Sequence, residues 1–169
     1  MSQQLVIDSL AFSSQGESLV GRLALSQFAR LANALEQSDG GLDFRVSGVT
    51  GAEGEPMLVL EVSGQLSLRC QRCLKPLDHP MKIVQEYELR EGLDADTPTQ
   101  EDMEDDSRDF LEASRSLDVA SLIEDEVLLA LPVVPRHDAC DLPGQGRNPE
   151  AASPFGVLLS IKGQTGKTH

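Results

Sequence analysis

Between positions 58 and 70 every second residue is apolar: Leu58, Leu60, Val62, then Leu66, Leu68 and Cys70, interrupted only at Gly64. The intervening positions carry Glu61, Ser63, Gln65, Ser67 and Arg69. Side chains on an extended chain alternate between the two faces of a sheet, so this pattern buries one face and wets the other. A helix would scatter the same residues around its axis. The run therefore commits this part of the chain to a half-buried strand, with Gly64 expected to bend it or break it in two. A second alternating run, Met81, Ile83, Tyr87 and Leu89, follows about ten residues later. Together the two runs predict an antiparallel hairpin with residues 70–80 at its tip.

Other elements assemble around this hairpin. Leu42-Asp-Phe-Arg-Val alternates and reads as a strand, followed by a glycine-rich turn at Gly48, Gly51 and Gly54. Residues 5–25 read as short strands and turns around Leu5, Leu19, Val20 and Leu23. Ser26 is a suitable N-cap for a first helix, with Phe28, Leu31, Ala32 and Leu35 at helical spacing and Gly40-Gly41 as its stop. A second helix starts at the N-cap Asp118 and places Val119, Leu122, Ile123, Val127 and Ala130 on one face. Leu128, Leu129 and Leu131 make its last turns apolar nearly all round, so that end is expected to be deeply buried or covered by a partner. Pro132 ends it, and Val133-Val134-Pro135 runs extended because residues before proline avoid the helical region. Phe110-Leu111 is expected to re-enter the sheet. The predicted fold is α+β: a mainly antiparallel, curled sheet covered by two helices.

Charge divides the chain. Its formal net charge is −14, and residues 94–109 alone hold eight acids against one base, Arg108. Such a stretch cannot bury enough apolar surface to order itself, so 91–109 is expected to be an acidic flexible insertion. Residues 1–162 then form one domain, with 141–153 linker-like and 163–169 a disordered tail. The acidic field attracts basic partners and repels nucleic acid at long range, which argues against a general RNA-coating protein but not against a local contact. No apolar run approaches the ~18 residues of a membrane span. Met1-Ser-Gln-Gln lacks a basic start with an apolar stretch behind it, so no signal peptide is expected. Three cysteines, an odd number, suit a reducing compartment better than a disulfide framework; the cytoplasm is the expected location.

Three constellations carry chemistry. The first is Cys70-Gln-Arg-Cys73 at the hairpin tip. Two thiolates at this spacing can share one tetrahedral metal, which needs about four ligands. His137 and Cys140, themselves two residues apart, would complete a Cys3His site, with His79 as a substitute ligand. The other readings are that Cys70 is a small buried hydrophobe on the core parity of its strand, or that the pair is a thiol-redox motif. The last motif normally opens a helix after a strand, where the dipole lowers the thiol pKa, and Pro76 with the following strand leaves no room for such a helix. The second constellation is basic: Arg69, Arg72, Lys75 and Lys82 surround the tip and could meet phosphate, or be ordinary surface bases. The third is Glu124-Asp125-Glu126 on the second helix. Consecutive helical residues point to different faces, so a solvated or partner-facing side fits better than paired acid–base chemistry. No Ser/His/Asp arrangement, phosphate-binding glycine loop or RNA-binding signature is present.

Two segments resemble the YceD-like family of large ribosomal RNA subunit accumulation proteins. Cys70-Gln-Arg-Cys-Leu-Lys-Pro-Leu is similar to that family's cysteine hairpin. Leu117-Asp-Val-Ala-Ser-Leu-Ile-Glu-Asp-Glu-Val-Leu-Leu-Ala-Leu-Pro-Val-Val-Pro-Arg-His-Asp-Ala-Cys140 is similar to its most distinctive block. Pro154-Phe-Gly-Val-Leu-Leu-Ser-Ile-Lys resembles the closing segment of proteobacterial members, and the likeness spans roughly residues 55–162. The resemblance implies a non-catalytic role in ribosome biogenesis, promoting accumulation of 23S rRNA, with precursor rRNA or a basic ribosomal protein as the contact and no membrane or small-molecule substrate. Rival readings are a zinc-knuckle RNA-binding protein and a thiol-redox or RNA-processing enzyme. Some family members resemble four-thiolate metal proteins after the proline pair. Here His137 stands where a cysteine could be and none follows Cys140, so the cofactor expectation is either none or one structural zinc.

Overall fold

The computed structural model describes residues 5–92 and 109–143. The expectations for an acidic insertion over 91–109, a linker over 141–153 and a tail over 163–169 fall largely or wholly outside these residues. Among the described residues the architecture is α+β, with an open five-stranded sheet in the order β2-β3-β4-β5-β6. Strands β2 (Ser18–Ala24), β3 (Gly41–Thr50), β4 (Pro56–Arg69) and β5 (Pro76–Arg90) form an antiparallel meander. The short β6 (Asp109–Glu112) adds to β5 in parallel, so Phe110 and Leu111 do re-enter the sheet. A separate two-stranded ribbon joins β1 (Val6–Ile7) to β7 (Leu117–Asp118).

The period-two pattern sets the register. Leu58, Leu60, Val62, Leu66 and Leu68 of β4 all face the core. Val62 and Leu60 pair with Phe44 and Val46 of β3, and Leu58 pairs with Tyr87 of β5, all of them buried. Each leucine taken fully out of water contributes about 2 kcal/mol. Gly64 does not break β4, which runs continuously through it, paired to Leu42 and Met81. A methyl at Gly64 would lie 2.7 Å from Leu42 Cδ2, so glycine here makes room for the leucine.

Among the described residues three helices, not two, accompany the sheet. The unforeseen one is α1 (Ser9–Ser14), inside the region read as strands and turns. It is too short to show periodicity, and its only local signal is Asp8, whose carboxylate accepts from the Ala11 N–H at 3.1 Å. Its Ser13 hydroxyl donates to the Val49 carbonyl at 2.8 Å and accepts from the Met57 N–H at 3.0 Å, fastening α1 across β3 and β4. This close seat depends on Gly48, which lies in β3 rather than in a turn. A Cβ there would come within 2.3 Å of the Phe12 carbonyl oxygen and 2.6 Å of Ser13 Cα. Because the obstruction is backbone, Gly48→Ala is expected to lower stability by at least about 2 kcal/mol in urea unfolding. A loss under about 0.5 kcal/mol would show that α1 does not pack as described.

The expected first helix is shorter than its pattern suggested. Residues Leu25–Gln27 form a 3₁₀ turn containing Ser26, and α2 spans only Ala29–Ala32. Phe28 between them is extended (φ −92°, ψ 100°) and sends its ring into the core. The apolar stripe of Phe28 and Leu31 is buried as its spacing indicated. The second helix, α3 (Val119–Ala130), starts where predicted, with Asp118 accepting from the N–H groups of Ala120 (2.9 Å) and Ser121 (3.3 Å). Its C-terminal end is not deeply buried, since Leu129 is 80% exposed and Val133 beyond it 97%. Among the described residues no helix is long and apolar enough to cross a membrane.

Candidate metal centre

The tip of the β4–β5 hairpin is a tight knuckle. Cys70 donates its backbone N–H to the Lys75 carbonyl at 3.0 Å, and Leu74 returns its N–H to the Cys70 carbonyl at 2.9 Å. Closing this loop forces Leu74 into the left-handed region (φ 62°), the one non-glycine residue with positive φ among the described residues. A leucine in that conformation is unfavourable by about 1 kcal/mol or more, so the knuckle is held by something beyond local preference. Part of the support comes from outside the hairpin. Gln71 donates its N–H to the Pro135 carbonyl at 2.9 Å, which lays the chain leaving α3 across the tip.

That crossing brings Cys70, Cys73, His137 and Cys140 together, their ligand atoms all within 4.8 Å of one another. Cys70 Sγ lies 3.7 Å from Cys140 Sγ, and Cys73 Sγ lies 3.3 Å from His137 Nδ1. A tetrahedral zinc with Zn–S of about 2.3 Å separates its sulfurs by roughly 3.8 Å, a spacing the Cys70–Cys140 pair already has. The imidazole is correctly oriented. Its Nε2 sits 3.0 Å from the Pro76 carbonyl, which can only accept, so Nε2 carries the proton. The Nδ1 lone pair then faces Cys73, in the outer-shell pattern of metal-binding histidines.

The electrostatics suit anionic sulfur. Burial pushes the Cys70 thiol up, but the backbone N–H groups of Cys73, His137 and Arg72 point at it and bring it down to about 5. At Cys73 the Lys75 N–H works downward, while burial and the neighbouring Cys70 and Cys140 sulfurs outweigh it and raise the thiol. One thiol ionises readily and its neighbour resists, as expected for sulfurs crowded against one another. The chain turns from Cys73 straight into β5 without the helix a thioredoxin-like pair would need. The Cys3His group can bind a metal ion. His79 is not among its members.

The basic residues are placed unequally. Arg72 turns inward onto the cluster: Nε donates to Cys140 Sγ at 3.0 Å and Nη2 to the His137 carbonyl at 2.7 Å. Arg69 lies 3.9 Å from Glu36, and Lys75 is exposed at the knuckle. Lys82 lies on the opposite, open face of the sheet beside Glu61 and Ser63.

The acidic triple lies elsewhere, on α3 against α2. Glu124 is 8% exposed and accepts from the backbone N–H groups of Arg30 (2.7 Å) and Leu31 (3.0 Å). It also accepts from the Arg30 guanidinium at 3.0 Å. The N-cap Phe28 has no capping side chain, so a carboxylate from another helix caps α2. Burial disfavours its charge, but the Leu31 and Arg30 N–H groups and the guanidinium outweigh that and hold Glu124 below the usual carboxylate range. Asp125 is exposed and pairs with Arg30 at 2.6 Å, while Glu126 is half-buried. Sequence reasoning gave Arg30 no part in this group, reading it only as a water-facing residue of the first helix. The available signal was negative, a helix start with no capping residue of its own.

Comparison with known proteins bears on the same segments. Residues 58–155 match the family model described as large ribosomal RNA subunit accumulation protein YceD. The chain is also similar to the protein of that name from Haemophilus influenzae, 28% identical over 94% of this chain and 95% of the relative. No solved structure matches.

Proposed function

We propose that this chain, which belongs to the YceD family of large ribosomal RNA subunit accumulation proteins, is a non-catalytic factor that promotes accumulation of 23S rRNA. The observation that carries the reading is the family match over 58–155, which takes in both the cysteine knuckle and the exit from α3. One structural zinc, held by Cys70, Cys73, His137 and Cys140, joins these two segments. The pockets beside Val62, Gly64 and Leu19 are lined by no cysteine or histidine, which favours binding over catalysis. The contact is a basic ribosomal protein rather than bare RNA, because a net charge of −14 draws in cationic partners and repels phosphate. Asp125 and Glu126 on α3 are the contact residues in this reading, and a precursor rRNA contact would instead fall on Arg69 and Lys75 at the knuckle.

Deleting the gene in its host is expected to lower 23S rRNA relative to 16S rRNA, and restoring the chain to correct the ratio. An unchanged ratio would remove the reading. Affinity capture with and without RNase then separates the contacts. A basic ribosomal protein that survives RNase supports the protein contact, whereas partners lost on RNase treatment transfer the contact to precursor rRNA.

A further inference from the structure

Arg72 sits between the first two cysteines, yet its guanidinium engages the other half of the site. Nε donates to Cys140 Sγ at 3.0 Å, and Nη2 donates to the His137 carbonyl at 2.7 Å and the Asp138 carbonyl at 3.4 Å. Cys140 and the two carbonyls belong to the irregular stretch after α3, whose other ties to the hairpin tip include the Gln71–Pro135 backbone bond and His137 Nε2 on the Pro76 carbonyl. Arg72 therefore ties together, through protein contacts alone, the two segments that must meet for four ligands to converge. The charge count points the same way. Three thiolates and a neutral imidazole around a divalent ion leave one surplus negative charge, and the guanidinium cancels it. Its planar array of donors reaches a sulfur and two carbonyls at once, which a lysine ammonium does not reproduce.

We infer that Arg72 is a positioning residue for the metal centre, assembling the His137–Cys140 half before an ion arrives and neutralising the thiolate site afterwards. This rests on the reading that the Cys3His group holds a metal. Losing an outer-shell partner of this kind weakens metal binding by about 10–100-fold.

The test uses the full chain with zinc and, as a spectroscopic probe, cobalt(II). Wild type, Arg72→Gln and Arg72→Lys are compared by chelator competition and by cobalt absorption. The Gln variant is expected to bind zinc about 10–100-fold more weakly. Its cobalt ligand-field bands should persist, because the four ligands are intact. Its sulfur-to-cobalt charge-transfer band should move to lower energy, because Cys140 has lost an N–H···S bond. Lysine should restore part of the affinity through charge, without restoring the band position. Should the Gln variant fail to fold, wild type against Lys gives the same comparison of band position. Zinc affinity within about twofold of wild type and an unmoved band in the variants would overturn the role of Arg72 while leaving the metal centre standing. A wild type that takes up neither metal would overturn both.

Discussion

Serine at position 70 is expected to strip the purified protein of zinc and to free the chain after α3 from the hairpin tip. Wild type should carry about one zinc per chain and lose thermal stability when a chelator removes it, whereas Cys70→Ser should carry almost none and be indifferent to chelator. The effect is large because Cys70 is fully buried and its sulfur lies 3.7 Å from Cys140. A serine hydroxyl there neither reaches the ion as a soft thiolate does nor finds water. In small zinc domains the metal supplies about 10–16 kcal/mol and the fold collapses without it. Here the sheet has its own core in Leu58, Leu60, Val62 and Leu66, so the predicted loss falls on the knuckle and residues 135–140 rather than on the whole domain. Hydrogen exchange should show this as faster exchange at Gln71, whose N–H is held by Pro135. Elemental analysis finding no metal in gently purified wild type, or a full equivalent in the serine variant, would refute the centre.

Removing the carboxylate of Glu124 is expected to cost about 3 kcal/mol, the second large effect. Glu124→Ala leaves two backbone N–H groups of α2 without their acceptor, those of Arg30 and Leu31, and Leu31 is itself fully buried. The guanidinium pairing contributes less, because the Arg30 side chain is 55% exposed and its charge is screened by solvent. Glu124→Gln should fall between wild type and alanine, since an amide oxygen still accepts. The sign of the pH dependence follows from the depressed pKa. The stabilisation is fully present above the unfolded carboxylate value of about 4.3 and is lost as pH falls through the lower folded value. Denaturant melts at pH 7 and pH 3 should show the gap between wild type and Glu124→Ala narrowing at the acid end. A gap that stays constant, or one below about 1 kcal/mol at pH 7, would mean that Glu124 is not the cap.

Family membership was readable in two short blocks, and the structure explains why those blocks are informative together. The cysteine knuckle and the Leu-Pro-Val-Val-Pro exit of α3 meet through Gln71, Pro135, Arg72 and Cys140. Spacing alone left the cysteines open to three readings. The convergence of the four ligand atoms, with His137 held in the right tautomer by Pro76, favours the metal. The basic and acidic constellations did not survive as uniform groups. Arg72 and Glu124 turned inward to hold the protein together, leaving Lys75 and Asp125 toward solvent.

What the sequence determined by itself is whatever depends on near neighbours. The alternation from Leu58 to Leu68 dictates a strand and its buried face, and the Asp118 cap and Pro132 bound a helix, because strand pleat and helix pitch are set by local dihedrals. What only the tertiary structure decided depends on residues far apart in the chain. Gly64 stays in its strand because Leu42 fills the space beside it, and Glu124 caps a helix that starts 95 residues earlier. His137 and Cys140 reach cysteines 64 and 70 positions away. No periodicity encodes such meetings; they exist only once the sheet has packed its core under the helices and brought the two ends of each contact into reach.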